Sequence, residues 1–195
     1  METDARKDGA RGSRRTLVGM KKQAGLHPLQ IMNAPDDDAL FKLLSAELEA
    51  QLGAISRDLE LLHQHLLRLP PGLRAMGATH PLDVSMALED LGWHFGNWPS
   101  QPLANETLAG LKELGATEAA AIFDAALACA KEHWAFICSG QFSDSYDDSP
   151  LHQALMPLNR RLWALLGYDG SAGKNLLAYW APYARSHPER VCHAN

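Results

Sequence analysis

The chain has 195 residues, 46% hydrophobic and 21% charged, with a formal net charge of −5. That length supports one sizeable core, the balance is that of an ordinary globule, and no apolar run approaches the roughly 20 residues of a membrane-spanning helix. The charge is divided: residues 1–25 hold seven Lys or Arg against three Asp or Glu, whereas residues 36–150 hold 6 against 18, a net of −12. So acidic a body repels phosphates, which sets aside direct nucleic-acid binding by it.

The first residues are basic, rich in Gly and Ser, and nearly without apolar side chains up to Arg15. They have no continuous apolar stretch and no small-residue cleavage site, so they do not read as a secretory signal. Residues 1–35 are expected to be a flexible, disordered tail, and residues 36–195 one helical domain. Met20 and Met32 are alternative starts that would shorten or remove that tail.

Asp36-Asp37-Asp38 offers N-cap oxygens and a favourable dipole charge to a helix beginning near Ala39. From there Leu40, Leu44, Leu48, Leu52, Ile55, Leu59, Leu62 and Leu66 recur at steps of three or four. The pattern predicts one long amphipathic helix, interrupted at Gly53 and stopped by Pro70-Pro71. A second helix is expected from Pro81 to Leu91, ended by Gly92. "GWHFGNWPSQP" (92–102) then reads as a loop carrying unusual aromatic mass. A third helix covers about Asn105 to Leu114, with Gly115 in the C-cap place. Thr117 is expected to cap an Ala-rich helix running to Cys138. An acidic loop, "SDSYDDS" (143–149), leads to a helix started by Ser149-Pro150, kinked or divided at Pro157 and ended at Gly167. A last helix is expected from Ser171, disturbed at Pro182. No segment alternates at period two, so the fold class is all-α, a single irregular multi-helix bundle.

Catalytic signatures are scarce. "GYDGSAGKN" (167–175) echoes a phosphate loop, but five residues separate Gly167 from Gly173, Asn175 stands where the metal-binding hydroxyl belongs, and a helix precedes it. Cys129, Cys138 and Cys192 form an odd set without Cys-x-x-Cys spacing. On one helix, Cys129 and Cys138 would lie roughly 13 Å apart and could not bond. A reducing cytoplasm fits such cysteine usage. Glu60-x-x-His63 has the spacing of di-iron helical bundles, yet no second copy exists. Ordinary interhelical histidines are the simpler reading. No catalytic residue and no cofactor is assigned; a metal-dependent bundle enzyme using Glu60 and His63 is the alternative.

Residues 88–127, "LEDLGWHFGNWPSQPLANETLAGLKELGATEAAAIFDAAL", resemble a family of small helical proteins of mostly unknown function named for a member described as a DNA mimic. Trp93, His94 and Phe95 look like that family's aromatic run, and Asn97 like its closing Asn. "ETLAGLKELGATEAA" (106–120) is similar to the helix and "Ile-Gly-Ala" turn that follow, with Gly115 at the turn. "LPPGLR" (69–74) is similar to the stretch preceding the motif. Leu88-Glu89-Asp90-Leu91 stands where the family has Asn-Gly-Gly-Phe. The likeness spans about residues 65–130.

From the residues themselves, Trp93, Phe95 and Trp98 are expected to fold inward as a plug against the Ala-rich helix, with Asn97 satisfying free backbone groups; an aromatic ligand wall is the alternative. The resemblance and the acidic charge together imply a non-enzymatic interaction protein. Its acidic surface would include Asp36, Asp37, Asp38, Asp144, Asp147 and Asp148. The expected partner is a basic protein surface, in the extreme a DNA-binding regulator, with no membrane involved. A homodimer is left open.

Overall fold

The computed structural model describes residues 25–53, 55 and 58–193, and the basic segment 1–24 with its expected disorder lies outside them. Among the described residues there are eleven α-helices and two 3-10 turns. None of the helices is long and apolar enough to cross a membrane. The bundle has two adjoining hydrophobic clusters, and two helices contribute buried residues to both.

Packing begins earlier than the boundary expected at Asp36. Helix α1 (Pro28–Met32) is capped by His27, whose side chain accepts from the Leu29 amide at 3.2 Å. It buries Ile31 completely, and Leu26 and Ala34 on either side join the same cluster. So short a helix holds because one large apolar side chain is buried, a signal too brief to appear as periodicity. Ile31→Val should therefore lower stability by about 1 kcal/mol, read from the denaturant midpoint. A neutral result would place Ile31 outside the core.

The long amphipathic stripe is two helices, α2 (Asp37–Leu52) and α3 (Leu59–Leu66). Asp36 caps the first as expected, accepting from Ala39 N–H at 2.8 Å. The break follows Gly53, because Asp58 supplies a second N-cap by accepting from Leu61 N–H at 3.0 Å. Both halves still face one cluster, with Leu40, Leu44, Leu48, Leu52, Leu62 and Leu66 buried in it.

Helix α4 (Pro71–Leu88) corrects the expected start at Pro81. Pro71 occupies the first helical position, where its missing N–H costs nothing, and Pro81 lies inside the helix. An interior proline is unfavourable, but packing on both halves outweighs it. Leu73, Ala75, Met76 and Ala78 fill one cluster, while Leu82 and Met86 fill the other. Next come α5 (Leu91–Asn97) and α6 (Gln101–Glu113). Helix α6 lies against α4, tied by Thr107 Oγ1 donating to the Ala78 carbonyl at 2.9 Å. At Gly110 a Cβ would sit 2.8 Å from the Ala75 carbonyl oxygen, so glycine permits the close approach.

Gly115 ends α6 as expected, at φ +75°. Gly115 N–H bonds to the Lys112 carbonyl at 3.1 Å, and Ala116 N–H to that of Leu111 at 2.9 Å. These are the paired bonds of a glycine-terminated helix. Helix α7 (Thr117–Glu132) then begins with Ala116 in the cap place, and Thr117 instead donates to the Gly115 carbonyl. The Ala-rich segment stops before Cys138: α7 ends at Glu132, and α8 (Trp134–Ile137) and α9 (Phe142–Ser145) follow as single turns. Helix α10 (Pro150–Leu166) passes through Pro157 without dividing. It is capped by Ser149 and ends at Gly167 with φ +79°.

The last expected helix starts later than Ser171. Leu176 N–H is held by Asp83 of α4 at 2.8 Å, which fixes a 3-10 turn over Leu176–Tyr179 before α11 (Trp180–Ser186). Burial pushes the Asp83 carboxyl up, against the bonds it accepts from Leu176 and Tyr168. Pro182 falls in the first turn of α11, where it interrupts little. Tyr183 of α11 donates to Glu113 of α6, and Arg190 Nε reaches the same carboxylate at 2.8 Å. Burial works upward on Glu113, but those two donors hold it below the usual carboxylate range.

Candidate functional site

The aromatic segment is helical. Asp90 caps α5 by accepting from Trp93 N–H at 2.9 Å, and Gly92, expected to end a helix, lies inside this one. Asp90 is buried and its other oxygen accepts from Tyr146 OH at 2.9 Å and from Asn159 Nδ2 at 3.2 Å. Asn159 in turn accepts from Leu91 N–H at 3.0 Å. Three distant segments thus meet on one carboxylate. Gly92 gives the Tyr146 ring its room, since a Cβ there would come within 2.0 Å of it. Burial among these groups also raises the Tyr146 phenol far above its ordinary value.

The three aromatic residues of the expected plug, and the residues between them, separate. Phe95 is fully buried against Phe123 of the Ala-rich helix, ring centres 5.6 Å apart. His94, the middle residue of the aromatic run, is 3% exposed, with Nδ1 3.2 Å from Ser85 Oγ. Trp93 is half-buried, edge-on to Phe142 and Tyr146. Asn97 is exposed and reaches Glu89 at 3.4 Å instead of capping backbone groups. Trp98 is half-buried and packs on the other cluster, away from Phe95.

The six aspartates are all exposed. Asp36 is committed to its cap, Asp37 pairs with Arg185 at 2.9 Å, and Asp38 with Lys42 at 2.6 Å. Asp144, Asp147 and Asp148 make no ion pair among the described residues. Their turn is nevertheless held. Tyr146, in its middle, is buried on Asp90, and Ser149 Oγ donates to the Tyr146 carbonyl at 2.6 Å.

Glu60 and His63 do not converge. Glu60 is exposed and accepts from Gln64 at 2.9 Å. His63 instead lies 3.7 Å from Glu106, which Arg74 holds through two bonds of 2.6 Å. Among the described residues no three His, Cys, Asp or Glu side chains gather as metal ligands would. The three cysteines are free thiols.

The fold also holds a cleft that no short motif announces. It measures about 600 Å³ and lies between α2, the middle of α4 and the start of α11. Leu48, Leu52, Leu62, Val84, Trp98 and Trp180 supply apolar wall, and Ser45, Glu49 and His80 the polar groups. Pro81 also lines it and has no N–H to offer the Gly77 carbonyl one turn earlier. Trp180 is 2% exposed and its Nε1 has no hydrogen-bond partner among the described residues. Leaving a buried donor unmet costs on the order of 1–3 kcal/mol. Trp98 thus borders this cleft, whereas Phe95 is buried against the Ala-rich helix.

No curated protein and no solved structure matches the chain. The profile of the family described as "DMP19-like protein" does match, over residues 67–187. That stretch runs from just before α4 to the end of α11, well beyond the part whose likeness is visible in short motifs, and it covers more than half of the sequence. The chain belongs to the DMP19-like protein family.

Proposed function

We propose that this chain is a non-enzymatic interaction protein whose acidic surface engages a basic protein, as a DNA mimic engages a DNA-binding protein. The observation that supports it best is the turn bearing Asp144, Asp147 and Asp148. Three exposed carboxylates without ion pairs among the described residues stand on a segment pinned by the buried Tyr146–Asp90 bond. Charges held in place before binding lose little ordering entropy on association. Their field also accelerates encounter with a positive patch. Asp36, Asp37 and Asp38 offer a second exposed acidic cluster, weaker because two of them are already paired with Arg185 and Lys42. Family membership supports the reading at the level of a DNA-mimic-like family.

The test is capture of a DNA-binding protein from lysate by the immobilised chain at low salt. Raising the salt should release it, because exposed charge pairs are screened within about 8 Å at physiological ionic strength. Duplex DNA should compete for the captured protein. Replacing Asp144, Asp147 and Asp148 with Asn should weaken binding about tenfold or more, if each lost charge contact is worth about 0.5 kcal/mol, with the thermal midpoint unchanged. Binding indifferent to salt, to DNA and to the triple substitution would rule the reading out.

A further inference from the structure

We infer that the cleft between α2, α4 and α11 is a binding site for a small, neutral, flat apolar molecule carrying a carbonyl acceptor. The proposal is independent of the acidic surface. Its volume of about 600 Å³ falls in the range of small-molecule sites. Two indoles, Trp98 and Trp180, line it together with Leu48, Leu52 and Val84, which suits a flat ring system. The carbonyl follows from Trp180, a wall residue whose buried Nε1–H lacks an acceptor. Exposed His80 packs edge-on against that ring, 5.9 Å between centres, and is joined to no described residue by a side-chain hydrogen bond. Rotation of the His80 ring toward solvent would open that edge of the indole to the acceptor. Glu49 at the cleft disfavours an anion, so the acceptor is a neutral carbonyl and not a carboxylate.

The walls also fall on both sides of the start of the family match. Trp98, Trp180 and the α4 residues lie inside the stretch matched by the family, whereas Ser45, Leu48, Glu49, Leu52 and Leu62 precede it. The cleft forms where the helices that precede the matched stretch pack against the matched part of the bundle. A second, much smaller space of about 20 Å³ shares Leu62, Gly77, Pro81 and Trp98 with it and reaches His94. That leaves room for about one water behind Trp98 and none for ligand.

The probe is 6-propionyl-2-(dimethylamino)naphthalene, followed by its own fluorescence and by two-dimensional NMR of the tryptophan indole N–H signals. Saturable one-to-one binding is expected, with the Trp180 indole signal moving downfield as it gains an acceptor. The Trp163 indole, already donating to the Met86 and Glu89 carbonyls at 3.1 Å, should stay put. 2-Ethylnaphthalene, which has no acceptor, and 2-naphthoate, which is anionic, should each bind at least tenfold more weakly. Val84 is 43% exposed at the rim, so Val84→Trp should block the cleft without disturbing the core and cut affinity at least tenfold. Absence of saturable binding, an unmoved Trp180 signal, or binding untouched by Val84→Trp would each overturn the assignment. The NMR measurement on the unmodified chain decides it even if that variant folds poorly.

Discussion

Phe95→Ala should lower stability by about 3–5 kcal/mol, whereas Trp98→Ala, although it removes a larger ring, should cost only about 1 kcal/mol. The contrast follows from what each side chain leaves behind. Phe95 is 0% exposed, with the rings of His94, Phe123 and Trp134 centred 5.5, 5.6 and 6.3 Å away. Helices α4, α7 and α10 close around that cluster, so they cannot collapse into the vacated space, and a cavity term adds to the lost burial. Trp98 faces an open cleft, and its removal only widens a space that water already reaches. Its loss therefore forfeits partial burial and little else. Chemical denaturation of both variants at neutral pH gives the comparison. Equal costs would mean that the two aromatic residues share one structural role, and the separation of the run into plug and wall would fail.

That separation also shows how far the residues alone could be read. Period-3.6 spacing in the Leu stripe is enough for the all-α class, because it needs only local chemistry. The same is true of Asp36 and Ser149 as caps, and of Gly115 and Gly167 as helix ends. The failures lie where a distant contact overrides a local preference. Pro81 looks like a helix start until both halves of α4 are seen to be buried in different clusters. Gly92 and Gly96 look like loop residues, yet both sit within α5. Added Cβ atoms there would lie 2.0 Å from the Tyr146 ring and 2.2 Å from that of Phe142. Those glycines make room for rings from a segment that reads as an acidic loop, and nothing near residue 92 announces it. Asp90 falls inside the helix expected from Pro81 to Leu91; that it caps α5 and gathers Tyr146 and Asn159 depends on residues more than fifty positions away. The cleft is less legible still, since Trp98 and Trp180 meet there only through the packing of α2 and α11.

His94 should make the fold lose stability on mild acidification. The imidazole is 3% exposed, and burial drives its pKa from 6.5 to about 4, with the Pro81 carbonyl only partly opposing the shift. In the unfolded chain this histidine takes up a proton near pH 6.5, while in the fold it stays neutral until about pH 4. Between those values the unfolded state binds more protons, so stability falls as pH falls, with a limiting slope of about 1.4 kcal/mol per pH unit. Across the whole window the loss attributable to His94 is on the order of 3 kcal/mol. It is complete below about pH 4 and absent above the unfolded value. Glu113, held below its ordinary value, loses its stabilisation at a different place: from its ordinary 4.5 downward, as pH falls through its lowered folded value. The interval from pH 6.5 to 5 therefore isolates the histidine from Glu113. His94→Gln keeps a polar group near Ser85 but cannot titrate. It should be less stable than the parent at pH 7 and show a flattened profile between pH 6.5 and 5, measured by urea unfolding at successive pH values. If the parent's stability is flat across that interval, or if the variant keeps the same slope, the proton is being taken up elsewhere and His94 is not held neutral by its burial.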